Sequence, residues 1–170
     1  MFKWLSLIFI LCLSACGWQF KNSELLPAEL RVLSFDSADP YSDMSRVLRE
    51  QMELNGIQTV AKSDGVANIR LNAVASDARV VSVFKQAREA EKVLSLTVNA
   101  TVTIPNKGSY PVETSVYRTF FDDSRAALAK SNESESIMKQ MYQQASWQLL
   151  IKISSVYKTL AVSPEKQSVK

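Results

Sequence analysis

The sequence predicts an α+β domain: a two-layer sandwich in which a four-stranded, mainly antiparallel sheet carries two helices packed on one face. Three observations carry that prediction. Residues 94–104 alternate strictly, with Leu94, Leu96, Val98, Ala100, Val102 and Ile104 on one side and Ser95, Thr97, Asn99, Thr101 and Thr103 on the other. This is the pattern of a strand with one dry and one wet face. Met44, Val47, Leu48 and Met52 recur at helical spacing, as do Met138, Met141, Tyr142, Ala145, Leu149 and Ile153. In chain order the elements read β, α, β, β, β, α.

Residues 1–15 read as a secretory signal peptide. Lys3 supplies the positive n-region, Leu5 to Leu13 the apolar h-region, and Ser14 and Ala15 the small residues before cleavage. The apolar run is shorter than the ~20 residues that a spanning helix needs. Cys16 follows the small pair directly, the arrangement of a bacterial lipobox, so Cys16 is the expected lipidation site. Gly17 stands where an Asp would hold a lipoprotein in the inner membrane. The expected location is therefore the outer membrane, lipid-anchored on the periplasmic side. Residues 16–29 lack periodicity and read as the lipidated tether.

A single domain is expected over residues 30–160. Leu30 to Phe35 is apolar-rich and reads as the first strand, and Asp36 to Pro40 is a loop of turn formers. Asp39 or Ser42 caps the first helix, and Asn55-Gly56 stops it. Ile57 to Val60 is a short apolar piece. Residues 66–84 read as a strand with Ile69, Leu71, Ala73 and Ala75 on one face, and Lys85 to Glu91 as a polar hairpin tip. After the 94–104 strand, Pro105 to Gly108 turns the chain into a strand over 110–121, with Val112, Val116 and Phe120 inward. Asp122 to Lys130 is a transition. Ser131 or Asn132 is the expected cap of the second helix, with Glu135 in a capping box. Residues 161–170 are polar and expected to be disordered.

Composition narrows the function. The chain has 170 residues, 20 Lys plus Arg against 17 Asp plus Glu, a net charge of +3 and no histidine. Near-neutral charge gives no electrostatic case for nucleic acid. The missing histidine removes Ser-His-Asp and Cys-His catalysis and histidine zinc sites. The cysteines are Cys12 and Cys16; one leaves with the signal peptide and the other takes lipid. No catalytic residue, metal or cofactor is expected beyond that lipid. Asp36, Asp39 and Asp43 read as a turn and helix cap rather than a carboxylate centre. The balance points to binding, not bond-making.

Several stretches, in register along the mature chain, resemble one family. They include Cys16-Gly17-Trp18, the run Arg31 to Pro40, Leu54-Asn55-Gly56, Ser82-Val83-Phe84-Lys85, Thr97 to Val102, Arg118 to Asp122, Ala127 to Lys130 and Lys139 to Tyr142. Together they are similar to the lipopolysaccharide-assembly lipoproteins of the LptE family in Gram-negative bacteria. That resemblance implies a partner, the outer-membrane β-barrel LptD, with this protein as a plug in its lumen and its lipid in the inner leaflet. It also implies contact with lipopolysaccharide. Lys85 and Lys130 match positions where the family carries basic contact residues, and Arg88 and Arg125 are added as neighbours. Arg79, Lys92 and Arg118 are further candidates, all expected at one end of the sheet. The alternative is a stand-alone outer-membrane lipoprotein that binds peptidoglycan or inhibits a periplasmic hydrolase.

Overall fold

The computed structural model describes residues 26–83 and 89–162. The signal peptide, Cys16, Lys85, Arg88 and the tail from residue 163 lie outside the described residues. Strand β1 (Val32–Ser37) leads to helix α1 (Asp43–Leu54), then β2 (Gln58–Thr59), β3 (Ala67–Val83), β4 (Glu89–Ile104), β5 (Gly108–Asp123) and helix α2 (Ala127–Val162).

The α+β class stands, but the sheet is five-stranded and mixed rather than four-stranded and mainly antiparallel. Its order is β2-β1-β3-β4-β5. β1 runs parallel to both of its neighbours, while β3–β4 and β4–β5 are antiparallel. The helix α1 crossover returns the chain so that β2 starts level with β1, which forces the parallel pairing. β2 is held by backbone bonds: the Gln58 N–H donates to the Arg31 carbonyl at 2.7 Å, and the Val60 N–H to that of Leu33 at 3.0 Å. Both β2 residues are exposed, so no apolar period marks the strand in the sequence.

Ser42, not Asp39, caps α1, its Oγ accepting from the Ser45 N–H at 3.3 Å. Asp39 accepts from the Tyr41 N–H and shapes the preceding loop. At the other end Gly56 takes a φ of 72°. This left-handed turn lets the Ile57 N–H reach the Met52 carbonyl and the Gly56 N–H that of Glu53, both at 2.9 Å, which closes the helix.

Helix α2 begins earlier than expected, and Ser131 and Asn132 lie inside it. The cap belongs to the short 3-10 turn before it (Ser124–Ala126), where the Asp123 carboxylate accepts from the Arg125 N–H at 2.9 Å. Ala126, Ala127 and Ala129 are strong helix formers, so the helix propagates straight from that turn and needs no second cap.

Both helices pack on one face of the sheet. Met44, Leu48 and Met52 of α1 and Met141, Ala145, Leu149, Leu150 and Ile153 of α2 join the inward residues of β4 in one cluster. Leu26 and Leu30 belong to it too, so the packing reaches upstream of residue 30. Fully burying a Leu or Met contributes about 1.5–3 kcal/mol.

The opposite face is hydroxyl-rich. Thr97 pairs with Ser115 at 3.1 Å, Thr103 with Ser109 at 2.8 Å, and the Asn72 amide donates to Thr101 Oγ1 at 2.8 Å. A bulge between Leu71 and Ala73 resets β3. Ile69 and Leu71 point into the core as expected, but Ala73 and Ala75 pair with Asn99 and Thr97 on the polar face. One inserted residue reverses every side chain beyond it.

Candidate functional site

Among the described residues, Lys92, Arg118, Arg125 and Lys130 lie toward the end of the sheet where the β3–β4 ladder closes, at the Val83–Ala90 pair. Lys92 is opposite Val80 and Phe120, Arg118 opposite Leu94, and Arg79 opposite Val93. Arg125 follows β5 in the 3-10 turn and Lys130 opens α2. The ladder register puts Lys92 and Arg118 on the helix side of the sheet and Arg79 on the other, so Arg79 does not join the group.

Between this sheet end and the first turns of α2 lies an open groove of ≈ 650 Å³. Leu94, Phe120 and Met138 wall it, and Lys92, Asp122 and Lys130 stand at it. The apolar wall follows from strand alternation and from the inward stripe of α2. The charged rim follows from the strand end and the helix start.

Lys92 and Lys130 at the groove, and Arg118 and Arg125 near it, each already hold an oxygen partner. The Lys92 ammonium bonds the Asp122 carboxylate across β4 and β5. Lys130 Nζ bonds Glu133 at 2.8 Å, one helical turn on. Arg125 chelates Asp123, with its Nε at 3.0 Å from Oδ1 and its Nη2 at 2.8 Å from Oδ2. Arg118 donates to the Gln144 side-chain oxygen. None of these partners, the acids Asp122, Asp123 and Glu133 or the Gln144 amide, was expected from the sequence. The Lys130–Glu133 spacing was the available signal, because residues three apart meet on a helix.

The Arg125 guanidinium and backbone N–H beside Asp123 hold its carboxyl below the usual carboxylate range, and the charge of Lys130 adds to this. These ion pairs are all partly open to solvent and contribute little to stability, so an incoming phosphate or carboxylate exchanges for them at small cost. The groove is lined by two cations, Lys92 and Lys130, and two carboxylates, Asp122 and Glu135; an apolar wall beside exchangeable cations suits an amphiphile with an anionic headgroup. Among the described residues no cluster of His, Cys, Asp and Glu is arranged to hold a metal. A second cavity, ≈ 380 Å³, lies between the helices beside Asp43, Arg46, Glu135, Lys139 and Tyr142. Its charges balance, and burial raises the Tyr142 phenol above its ordinary pKa, with help from Asp43.

Comparison with known proteins gives a consistent result. Residues 30–153 match a family model described as LptE, lipopolysaccharide-assembly. The chain is 33% identical over 161 residues to the LPS-assembly lipoprotein LptE of Pectobacterium atrosepticum, covering 94% of this chain and 88% of that protein. It is 32% identical over 163 residues to the protein of the same name in Yersinia pestis, covering 95% and 79%. In structure it resembles the rare lipoprotein B of Shewanella oneidensis, with a TM-score of 0.71, 32% identity, and coverage of 76% of this chain and 98% of that one. A minor lipoprotein of Acinetobacter baumannii shares the fold at a TM-score of 0.58 and 17% identity, with 75% and 93% covered.

Proposed function

We start from the fact that this chain belongs to the LptE family of lipopolysaccharide-assembly lipoproteins, and we propose that it supports lipopolysaccharide assembly as a lipid-anchored plug of the outer-membrane barrel LptD. It acts by binding and fitting, not by catalysis. The carrying observation is the family match over residues 30–153, a span that runs from the first strand deep into α2.

The physical surface supports the same reading. The lumen of a transmembrane barrel is polar, so a plug needs a dry interior and a wet, weakly charged exterior. Here one apolar core is buried between sheet and helices, and Thr97, Thr101, Ser109 and Ser115 dress the other sheet face, with Tyr117 and Phe121 exposed toward its end. Among the described residues no helix is long and apolar enough to cross a membrane. Attachment is assigned to lipid on Cys16, the first residue after the proposed signal peptide 1–15, and the tether proposed over 16–29 meets the domain at Leu26, which packs into the core.

Lipopolysaccharide contact is assigned to the groove end of the sheet. Lys130 and Arg125 supply cations there, and Lys85 and Arg88 join them in this reading. Phosphates of the glycolipid take the place of Glu133 and Asp123, while Leu94, Phe120 and Met138 offer apolar surface to its acyl part.

Purification of the lipidated protein from outer membranes in mild detergent tests the partnership. The expected result is one large β-barrel in equal amount. Recovery alone, or with peptidoglycan fragments, contradicts the reading and favours a stand-alone cell-wall lipoprotein.

A further inference from the structure

We propose that the outer face of the sheet, where β3, β4 and β5 run on past the end of β1, is a binding site for a chain of neutral sugar rings, supplied by the saccharide part of lipopolysaccharide. The choice of that source rests on the lipopolysaccharide reading; the site itself follows from the register of the sheet.

β1 accompanies β3 only as far as the Ser37–Leu71 pair. Beyond it, cross-strand rows set side chains together. Asp77 and Tyr117 flank Ser95 in one row, Arg79 and Thr119 flank Val93 in the next, and Glu91 pairs with Phe121 in the third. The alternate residues Leu94, Leu96, Val116 and Phe120 point into the core, so these rows stand on the opposite, solvent side.

Tyr117 and Phe121 are 60% and 58% exposed there. Four residues of strand set them about 13 Å apart on one face. The face of an aromatic ring is the negative pole of its quadrupole, which attracts the C–H hydrogens along one side of a pyranose ring. Thr119 lies between the two, so they are separate platforms rather than one apolar patch. Asp77, Arg79 and Glu91 supply what sugar hydroxyls need, carboxylates that accept and a guanidinium that donates. None of the three enters an ion pair among the described residues.

The charges select a neutral ligand. Two carboxylates against one guanidinium repel phosphate, and interleaved polar groups are a poor seat for an acyl chain. The half of this face nearer the β4–β5 turn is also hydroxyl-rich, with Thr101 and Thr103 opposite Pro111 and Ser109, but it carries no aromatic side chain on β3, β4 or β5. The helix side of the same sheet end has the reverse chemistry, with Lys92 and Lys130 at an apolar wall. One glycolipid thus meets two complementary surfaces: its anionic and acyl parts suit the groove, and its sugars suit the outer face. A hydrophilic saccharide crosses an outer membrane through the polar lumen of a barrel, which puts a face of the plug within its reach.

Titration of the full lipidated chain with lipid-free, dephosphorylated core oligosaccharide, in a detergent without a sugar headgroup, tests this by NMR saturation transfer. Saturation is expected to pass from the protein to the sugar C–H hydrogens. Tyr117→Ala or Phe121→Ala is expected to weaken binding about tenfold, and Tyr117→Phe to preserve it. An unchanged thermal midpoint shows that the variants fold. Peptidoglycan glycan strands, stripped of peptide, form the second arm and are expected to bind more weakly. Equal or tighter binding of those strands, no transfer to the core oligosaccharide, or alanine variants with the affinity of the parent each overturns the proposal. Recovery with a barrel is measured separately, so failure of the sugar titration and failure of the plug reading are told apart.

Discussion

Asn68 and Ser34 face each other across the parallel β1–β3 ladder, with the Asn68 amide donating to Ser34 Oγ at 2.9 Å. The same amide lies 3.4 Å from the Ser34 carbonyl, and the Ser34 hydroxyl donates to the Ala67 carbonyl at 3.3 Å. Asn68 is 6% exposed and Ser34 2%. Two polar side chains so deeply placed are tolerated because each satisfies the other. Asn68→Ala strands Ser34 with its weaker contact and is expected to cost about 1–3 kcal/mol. Ser34→Ala and the double variant complete a cycle, read by urea denaturation. A double-variant loss equal to the sum of the single losses shows that the two residues are uncoupled.

Asp123 gives a pH signature. Its carboxyl is held below the usual range by the side chain and backbone of Arg125, so the folded state favours the charged form. The resulting stabilisation is complete above the ordinary carboxylate pKa and is lost as pH falls through the lowered value. Arg125→Ala is expected to move the Asp123 titration upward toward an ordinary carboxylate. A carboxyl-carbon NMR titration checks it, and an unmoved Asp123 removes Arg125 as the cause.

Lys130 is one-quarter exposed at its side chain and paired with Glu133. Lys130→Glu turns the groove rim acidic and is expected to weaken binding of lipopolysaccharide about tenfold at low ionic strength. The difference shrinks as salt screens the site. Glu133→Gln frees the ammonium and is expected to tighten binding slightly. Equal affinity in all three proteins, by titration against dispersed lipopolysaccharide, takes Lys130 out of the contact.

Much of the fold was legible because it rests on period. The β4 alternation, the α1 stripe and the α2 stripe all report burial directly, and Leu96, Val98, Met52 and Leu149 are fully buried as those periods require. The parts that escaped leave no periodic trace. Gln58 and Thr59 form a strand through backbone bonds while both side chains stay wet. The bulge between Leu71 and Ala73 is a backbone event, marked in the sequence only by the apolar run Ala73-Val74-Ala75 that follows it. The start of α2 was set by alanines and an upstream Asp123 cap rather than by the hydroxyl residues that usually announce a helix. Of the groove's cations, Lys92 and Lys130 were already named as candidates from the sequence. The sequence did not point to Asp122, which reaches Lys92 only because β4 and β5 place them diagonally across two strands.

The most direct measurement of the central claim places a photo-activated cross-linker at Thr97, mid-sheet on the hydroxyl face, in living cells that make the full lipidated chain. The account predicts a covalent product whose mass is that of this chain plus LptD, resistant to washing out of the outer membrane. A chain that reacts only with solvent, peptidoglycan or a periplasmic enzyme contradicts it.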